Sequence, residues 1–249
     1  MKEIDWANLS FGYMKTDYNV RINFRNGAWG ELEVSSEEHL NLHMAATCLH
    51  YGQEAFEGLK AFRGKDGKVR IFRLEENAAR LQSTCQGILM AELPTERFKE
   101  AILKVVKLNE RFIPPYETGA SLYIRPLLIG TSAQVGVHPA EEYMFVVFVT
   151  PVGPYFKGGF STNPYVIIRE FDRAAPHGTG IYKVVVTMQP VFVLTRRHMI
   201  WAIPASSTLM QKKKNILMNV VLPTSSVLRI ILISLRNHLL SYLLLPIRA

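Results

Sequence analysis

The chain has 249 residues, 48% of them hydrophobic and 20% charged, which excludes a fibrous or disordered protein and suits one large domain or two smaller ones. The acidic residues Glu3 and Asp5 near the start are unlike a signal or transit peptide, so we expect a cytoplasmic protein. Cys48 and Cys85 have neither metal-binding spacing nor a CxxC pattern, so we expect reduced structural thiols and no metal site.

The net charge of +8 belongs to one part of the chain. All 21 acidic residues lie at or before Asp172, and 21 of the 29 Lys and Arg lie at or before Lys183. Residues 1–184 are therefore formally neutral, and the remaining eight positive charges lie in residues 185–249 without an acid. All 16 glycines also precede position 184, although a folded enzyme needs glycine for its turns. The two parts do not look like one protein, so the charge does not indicate nucleic-acid binding.

The first predicted elements form a hairpin followed by a helix. Residues 55–62 and 69–72 are apolar strand candidates, and they flank a GKDG segment at 64–67 that supplies the positive φ values of a tight hairpin. Residues 74–87 then predict a helix. Residues 96–112 predict a second helix because their apolar positions have helical spacing, with Thr95 as its N-cap.

The next segments predict buried strands and a boundary. Residues 122–129 and 143–150 are apolar, β-branched and aromatic, as buried strands are. The Pro- and Gly-rich run at 151–160 predicts an interdomain connection, and a strand at 165–170 would open a second domain. The pattern up to this point is that of a mixed α+β domain.

Lys183 is the candidate catalytic lysine. A lysine that forms a Schiff base must be held close to its cofactor and must lose its proton more readily than a solvated lysine. The preceding segment RAAPHGTGIY at 173–182 has small residues and glycines that let the backbone approach a flat ring. Taken alone, this pattern leaves open a solvated surface lysine.

Four motifs carry a resemblance to a known family. They are HYGQEAFEGLKAFRG (50–64), SLYIRPLLIGT (121–131), PVGPYF (151–156) and RAAPHGTGIYKV (173–184). In this order the chain resembles the branched-chain amino-acid aminotransferases over essentially all of residues 1–184. The resemblance implies an α/β (α+β) protein with the type IV fold of pyridoxal-phosphate enzymes. Residues 1–157 would form a small N-terminal domain with the start of the interdomain loop, and 158–184 would begin a larger pseudo-barrel domain that is incomplete here.

The resemblance also implies a reaction: the amino group of leucine, isoleucine or valine passes through pyridoxal 5'-phosphate to 2-oxoglutarate, giving a branched 2-oxo acid and glutamate. Lys183 matches the Schiff-base lysine and proton shuttle. Arg80 matches the arginine that binds the cofactor phosphate, for which a guanidinium fork is well suited. A solvent-facing helix arginine is the alternative for Arg80. The resemblance further implies a homodimer, without nucleic acid or membrane.

Five residues match the family's substrate pocket. Tyr123 and Arg125 lie two apart on a predicted strand and so share one face. The family's arginine at this position helps to admit the second carboxylate of 2-oxoglutarate. Tyr51, Phe56 and Tyr155 match pocket aromatics, and an aromatic cavity suits a branched aliphatic side chain. Ordinary core packing is the alternative for these aromatic residues.

The family pattern breaks after Val184. Residues 185–194 can be encoded by the codons GTG-GTA-ACT-ATG-CAG-CCA-GTC-TTC-GTG-CT, and with one preceding G the same bases would encode GGNYAASLRA, which continues the family sequence. The same shift applied to residues 218–228 permits ECGPANFFGI, which resembles the family segment with the glutamate that pairs with the cofactor's pyridine nitrogen. Residues 185–249 are thus interpreted as a frame-shifted tail that lacks this acid.

Two other interpretations remain open. Within the same fold, the chain would be a D-amino-acid aminotransferase or a lyase, against which the SLYIRP and PVGPYF motifs argue. In a different class, it would be a non-catalytic remnant that binds a partner or a membrane through its basic, leucine-rich tail.

Overall fold

A computed structural model describes residues 4–154, 166–168, 175, 177–189, 192, 206–209 and 217–220. The chain divides into two compact units. The first comprises Met1–Gly159 and Tyr182–Val185, and the second comprises Phe160–Ile181 and Val186–Ala249.

The described part of the first unit is built on an eight-stranded antiparallel sheet. Its strands are β1 (Asn19–Arg25), β2 (Ala28–Trp29), β3 (Glu33–Ser35), β4 (Glu54–Phe56), β5 (Leu59–Arg63), β6 (Val69–Ile71), β7 (Ser121–Gly130) and β8 (Tyr143–Val152). The strand order is β2-β1-β8-β7-β5-β6, with β3 on β1 and β4 on β7. The predicted strands at 122–129 and 143–150 are confirmed as β7 and β8, which pair along their whole length.

The strand predicted over residues 55–62 is divided into β4 and β5. Both keep one register against β7, and between them Glu57 donates its N–H to the carbonyl of Pro126 at 2.9 Å. Pro126 has no N–H to return, so the ladder is interrupted at Glu57 and Gly58. The interruption lies beside Phe56 in the middle of the sheet.

The predicted hairpin between β5 and β6 is confirmed. The two strands pair antiparallel from Arg63 opposite Val69 onward. Gly67 has φ +74°, which favours glycine, and the Gly64 N–H donates to the Lys68 carbonyl at 2.8 Å. The GKDG segment therefore makes the turn that its composition predicts.

Three helices accompany the sheet in the described residues: α1 (Thr47–Tyr51), α2 (Leu74–Gly87) and α3 (Thr95–Leu108). The prediction of α2 is confirmed. The predicted N-cap of α3 is wrong, because Pro94 holds the cap position and Thr95 is already helical. The Thr95 hydroxyl instead accepts a hydrogen bond from Gln82 at 3.3 Å.

Helix α3 is also shorter than predicted. It ends before the buried Asn109, whose side-chain oxygen accepts the backbone N–H groups of Asp17 and Tyr18 at 3.0 and 3.1 Å. A 3-10 turn, Glu110–Phe112, follows. An asparagine that must reach a neighbouring segment competes with the helix backbone, which explains the early end.

Helices α2 and α3 cover one face of the sheet. The rings of Phe98 on α3 and Phe145 on β8 lie 5.8 Å apart at the centre of this core. The alternate residues Leu122, Ile124 and Leu128 of β7 belong to the same fully buried cluster. The intervening residues of β7 therefore point to the opposite face, which carries the candidate site.

The described strands of the second unit form a small sheet of their own. They are β9 (Val166–Ile168), β10 (Ser206–Leu209) and β11 (Leu217–Val220), with β9 and β10 parallel and β10 and β11 antiparallel. The predicted strand at 165–170 is confirmed over 166–168, and its remaining residues lie outside the described ones. Among the helices that the structure describes, none is long and apolar enough to cross a membrane.

Candidate active site

The backbone of Lys183 is held on both sides. Its N–H donates to Thr84 Oγ1 of α2 at 3.1 Å, and its carbonyl accepts the Phe56 N–H of β4 at 3.2 Å. An antiparallel bridge between Ala55 and Val184 extends this pairing by one residue. The root of the lysine side chain is therefore fixed between a helix and the central sheet.

Phe56 joins Lys183 to Arg125. The Lys183 Nζ atom lies 4.3 Å from the centre of the Phe56 ring, and the Arg125 guanidinium carbon lies 5.1 Å from the same centre. Both distances are within the range at which a cation is attracted to an aromatic ring. Three residues that sequence motifs placed in the active site are thus brought together from three distant segments.

Arg125 is fixed in turn by Tyr123. The Nε and Nη2 atoms of Arg125 donate to the Tyr123 hydroxyl at 3.3 and 3.2 Å, so the two side chains share one face as their spacing predicts. Tyr123 is buried, and the ring of Phe11 packs edge-on against it with centroids 5.4 Å apart. The Arg125 side chain therefore packs against aromatic side chains.

Arg80 on α2 makes a two-point ion pair with Glu57. Its Nε and Nη2 atoms donate to the two carboxylate oxygens at 2.8 and 2.6 Å. Glu57 is fully buried, whereas the Arg80 side chain is 49% exposed. Hydrogen bonding to Glu57 raises the pKa of Arg80 above its usual value. The guanidinium is thus held by an ion pair while about half of the Arg80 side chain remains exposed to solvent.

Glu57 is a residue that the sequence interpretation did not single out. Its carboxylate also accepts the side-chain N–H of Asn77 at 2.8 Å. Burial of a carboxylate is costly unless it is paired, so its three side-chain hydrogen bonds account for its place inside the protein. The available indication was its position next to Phe56 within the EGLKAF motif.

Gly87 gives the segment before Lys183 a second contact with α2. The ring of Tyr182 lies directly on the Gly87 backbone, so that a methyl group there would overlap the ring. Arg80, Thr84 and Gly87 are spaced four and three residues apart and so lie on one stripe of α2. This stripe contacts Glu57, the Lys183 backbone and Tyr182 in succession.

The other predicted site residues have different surroundings. Tyr51 donates its hydroxyl to the Val135 carbonyl, and its ring lies 6.3 Å from that of His50. Tyr155 lies outside the described residues. Lys60, which the sequence interpretation treated as structural, is the register partner of Tyr123, and burial lowers its pKa. A further cation thus lies next to Tyr123.

A surface cleft of the first unit is separate from this cluster. Its lining includes Tyr13, Asp17, Arg21 and Phe148 but none of the predicted site residues. The cleft is lined by both charged and aromatic side chains, among them the Asp17 that pairs with Arg111. The candidate site is therefore defined by the contacts around Phe56.

Solved structures establish the fold class. The chain is similar to the branched-chain amino acid aminotransferase of Escherichia coli with a TM-score of 0.63 and 19% identity, covering 82% of this chain and 62% of that one. It is similar, with a TM-score of 0.58 and 22% identity, to another branched-chain amino acid aminotransferase complexed with N-(5'-phosphopyridoxyl)-L-glutamate, covering 80% and 60% of the two chains. The chain has the type IV aminotransferase fold.

Sequence comparison relates part of the chain to named enzymes. Over 184 residues the chain is 48% identical to the branched-chain-amino-acid aminotransferase of Haemophilus influenzae, a match that covers 74% of this chain and 53% of that protein. No family model matches the chain. The resemblance predicted from the motifs is confirmed: over this length the chain is related to the branched-chain-amino-acid aminotransferases. The chain spans about half the length of the curated relatives it matches.

Proposed function

We propose that this chain derives from an enzyme that transfers the amino group of leucine, isoleucine or valine to 2-oxoglutarate. The observation that carries the proposal is the cluster of Lys183, Phe56 and Arg125, in which a lysine and an arginine flank one aromatic ring. The names of the relatives support the branched-chain substrates. The phosphopyridoxyl-glutamate ligand of one structural neighbour supports glutamate as the second amino acid.

Pyridoxal 5'-phosphate fits the residues present. Arg80 donates from Nε and Nη2 to Glu57, and among the described residues no hydrogen bond from its Nη1 is seen, so this atom suits a phosphate oxygen as acceptor. Lys183 is on a segment that contacts the same helix, α2. The Lys183 side chain would bind the aldehyde group of the cofactor. When bound, the cofactor carries the amino group between substrates and accepts the electrons released at the substrate Cα.

Lys183 would also move the proton at the substrate Cα. Its peptide N–H and carbonyl are both hydrogen-bonded, so the backbone would stay in place while Nζ carried the proton. In its neutral form the amine would be able to accept this proton. One lysine would therefore serve both as anchor and as proton carrier.

The two substrates require different features of one pocket. A branched aliphatic side chain gains from contact with Phe56. Tyr51 and Tyr155 are proposed as further pocket aromatics from the family motifs alone. The second carboxylate of 2-oxoglutarate would be bound by Arg125, which Tyr123 orients. A homodimer and a cytoplasmic location complete the proposal.

A second candidate is that the 249-residue chain itself is a non-catalytic remnant of such an enzyme. The observation that favours it is compositional, because no acid follows Asp172 and no glycine follows position 183. The family's ring-nitrogen glutamate would be absent from a chain of this sequence. Restoring one guanine before codon 185 would return both the glutamate and the missing glycines.

Steady-state kinetics of the chain with the guanine restored tests the proposed reaction. We expect transfer from leucine, isoleucine and valine to 2-oxoglutarate, and none from D-alanine. Arg125→Met should raise KM for 2-oxoglutarate by about tenfold or more while changing KM for leucine little, since only the former has the extra carboxylate. Equal effects on both substrates would contradict the role of Arg125, and D-alanine turnover would favour the D-amino-acid aminotransferase.

A further inference from the structure

We infer that Glu57 is a positioning residue that orients Arg80 toward the cofactor phosphate. The inference rests on the proposed function, because it takes Arg80 as the phosphate-binding residue. It concerns a carboxylate that the family motifs do not mark as functional and that is fully buried in the first unit. Glu57 would act through Arg80 and would not itself touch the cofactor.

The geometry of the ion pair determines which way Arg80 points. A guanidinium is a rigid planar fork, so two hydrogen bonds from Nε and Nη2 to one carboxylate fix its plane and direction. The Nη1 atom is then directed away from Glu57. A single-point contact would leave the plane free to turn, and the direction of Nη1 would be lost.

Glu57 is itself held firmly enough to serve as this reference. Its backbone N–H donates to Pro126 of the central sheet at 2.9 Å, and its carboxylate also accepts Asn77 of α2 at 2.8 Å. The Gly58 N–H lies 3.4 Å from the same carboxylate oxygen. A buried side chain with these partners has little freedom, whereas Arg80 is a long side chain that is half exposed.

The position of Glu57 ties the phosphate residue to the lysine. Glu57 follows Phe56, whose N–H donates to the Lys183 carbonyl and whose ring lies under Lys183 Nζ. Arg80 lies four residues before Thr84, which binds the Lys183 N–H. The ion pair thus sets the spacing between the two groups that would hold opposite ends of one cofactor.

A purely structural contact between α2 and the segment that joins β4 to β5 is the alternative role for this ion pair. The two roles differ in what they do to ligands with and without a phosphate. A structural tie would affect pyridoxal and pyridoxal 5'-phosphate equally, because both contact the rest of the site in the same way. A positioning role affects only the ligand that carries the phosphate.

The test is the ratio of the Kd for pyridoxal to the Kd for pyridoxal 5'-phosphate, measured by absorbance titration of the full 249-residue chain. The parent chain should prefer the phosphate ester, and Arg80→Ala should remove that preference. Glu57→Gln should lower the ratio by about tenfold, the effect of losing a charge-assisted orienting contact, and leave the Kd for pyridoxal unchanged. The control Glu54→Gln changes a carboxylate of the preceding strand β4 and should leave the ratio unchanged.

Each other outcome is decisive. The positioning role is overturned if Arg80→Ala loses the preference for the phosphate ester while Glu57→Gln keeps it. It is also overturned if Glu57→Gln weakens the binding of both ligands equally. In either case the proposed function stands. If Arg80→Ala also keeps the preference, the phosphate role of Arg80 fails as well. If Glu57→Gln does not fold, Glu57→Asp is measured instead, because it retains the negative charge on a shorter side chain that lies farther from Arg80. An unchanged ratio of the two Kd values in that variant overturns the inference.

Discussion

Lys183 is fixed through its main chain, and several of the residues that fix it were not identifiable from the motifs. The motifs indicated Lys183, Arg80 and the Tyr123–Arg125 pair because residue type and spacing are local properties. Glu57 and Gly87 were missed because their partners lie 23 and 95 residues away in the chain. Only the fold brings these partners together; the one local indication was the position of Glu57 beside Phe56 in the EGLKAF motif.

Gly87 offers a test of the contact with Tyr182. Alanine in a helix is normally more stable than glycine by about 1 kcal/mol. We expect the opposite for Gly87→Ala, a loss of about 1–3 kcal/mol, because the new methyl group overlaps the Tyr182 ring. Thermal denaturation measures it. Gly178→Ala is the control, since a Cβ there meets its neighbours at 3.4 Å or more, and a Gly87→Ala variant as stable as this control would contradict the contact.

The two cysteines are predicted to be unreactive in the folded protein. Both are free and buried, and burial raises the pKa of the Cys85 thiol to about 12 and that of Cys48 above its usual value. We expect neither to react with iodoacetamide at pH 8 until denaturant is added, because the thiolate is the reactive form. The pKa of Cys85 is higher in the folded protein than in the unfolded chain. The free energy of unfolding should therefore fall as the pH rises from about 9 toward 12. Mass spectrometry of the native protein after alkylation, showing a modified Cys85, would refute this.

At the scale of elements, composition was sufficient where a segment is buried almost throughout. Strands β7 and β8 were predicted closely because continuous runs of apolar, β-branched and aromatic residues are typical of buried strands. The misjudged boundaries have specific causes. Pro126 interrupts the ladder between β4 and β5, and the buried Asn109 ends α3 early. Both effects come from hydrogen bonds to distant segments rather than from local propensity.

Helix α3 provides a matched pair that tests which face it buries. Ile102 is fully buried against the sheet, whereas its neighbour Leu103 is 55% exposed. We expect Ile102→Ala to lower the free energy of unfolding by about 2–5 kcal/mol, because it leaves a cavity. Leu103→Ala should change it by less than about 1 kcal/mol. Urea denaturation measures both, and similar losses for the two variants would mean that the packing of α3 is wrong.

At the scale of the whole molecule, the composition changes near the boundary between family-like sequence and tail. The first unit contains the cluster around Lys183 and ends with Val185, whereas every excess positive charge lies in residues 185–249. Sequence comparison also relates only 184 residues to the branched-chain-amino-acid aminotransferase of Haemophilus influenzae. The chemistry proposed for the complete enzyme therefore depends on residues that the tail does not supply.

Restoring one guanine before codon 185 should switch on activity. We expect the 249-residue chain to lack transaminase activity with leucine and 2-oxoglutarate, because it has no acid after Asp172 to keep the cofactor's ring nitrogen protonated. The restored chain should be active in the same assay. Equal activity of the two proteins would show that the tail is functional and that the frame-shift interpretation is wrong.

The central claim, that Lys183 is the lysine that binds the cofactor, is tested most directly by identifying the labelled residue. The 249-residue chain is mixed with pyridoxal 5'-phosphate at a concentration equal to its own, reduced with borohydride, digested and analysed by mass spectrometry. We expect the label on Lys183, because its backbone is held at both peptide groups beside Phe56, and Lys60 and Lys65 serve as internal controls. A label distributed over other lysines, with Lys183 unmodified, would contradict the account.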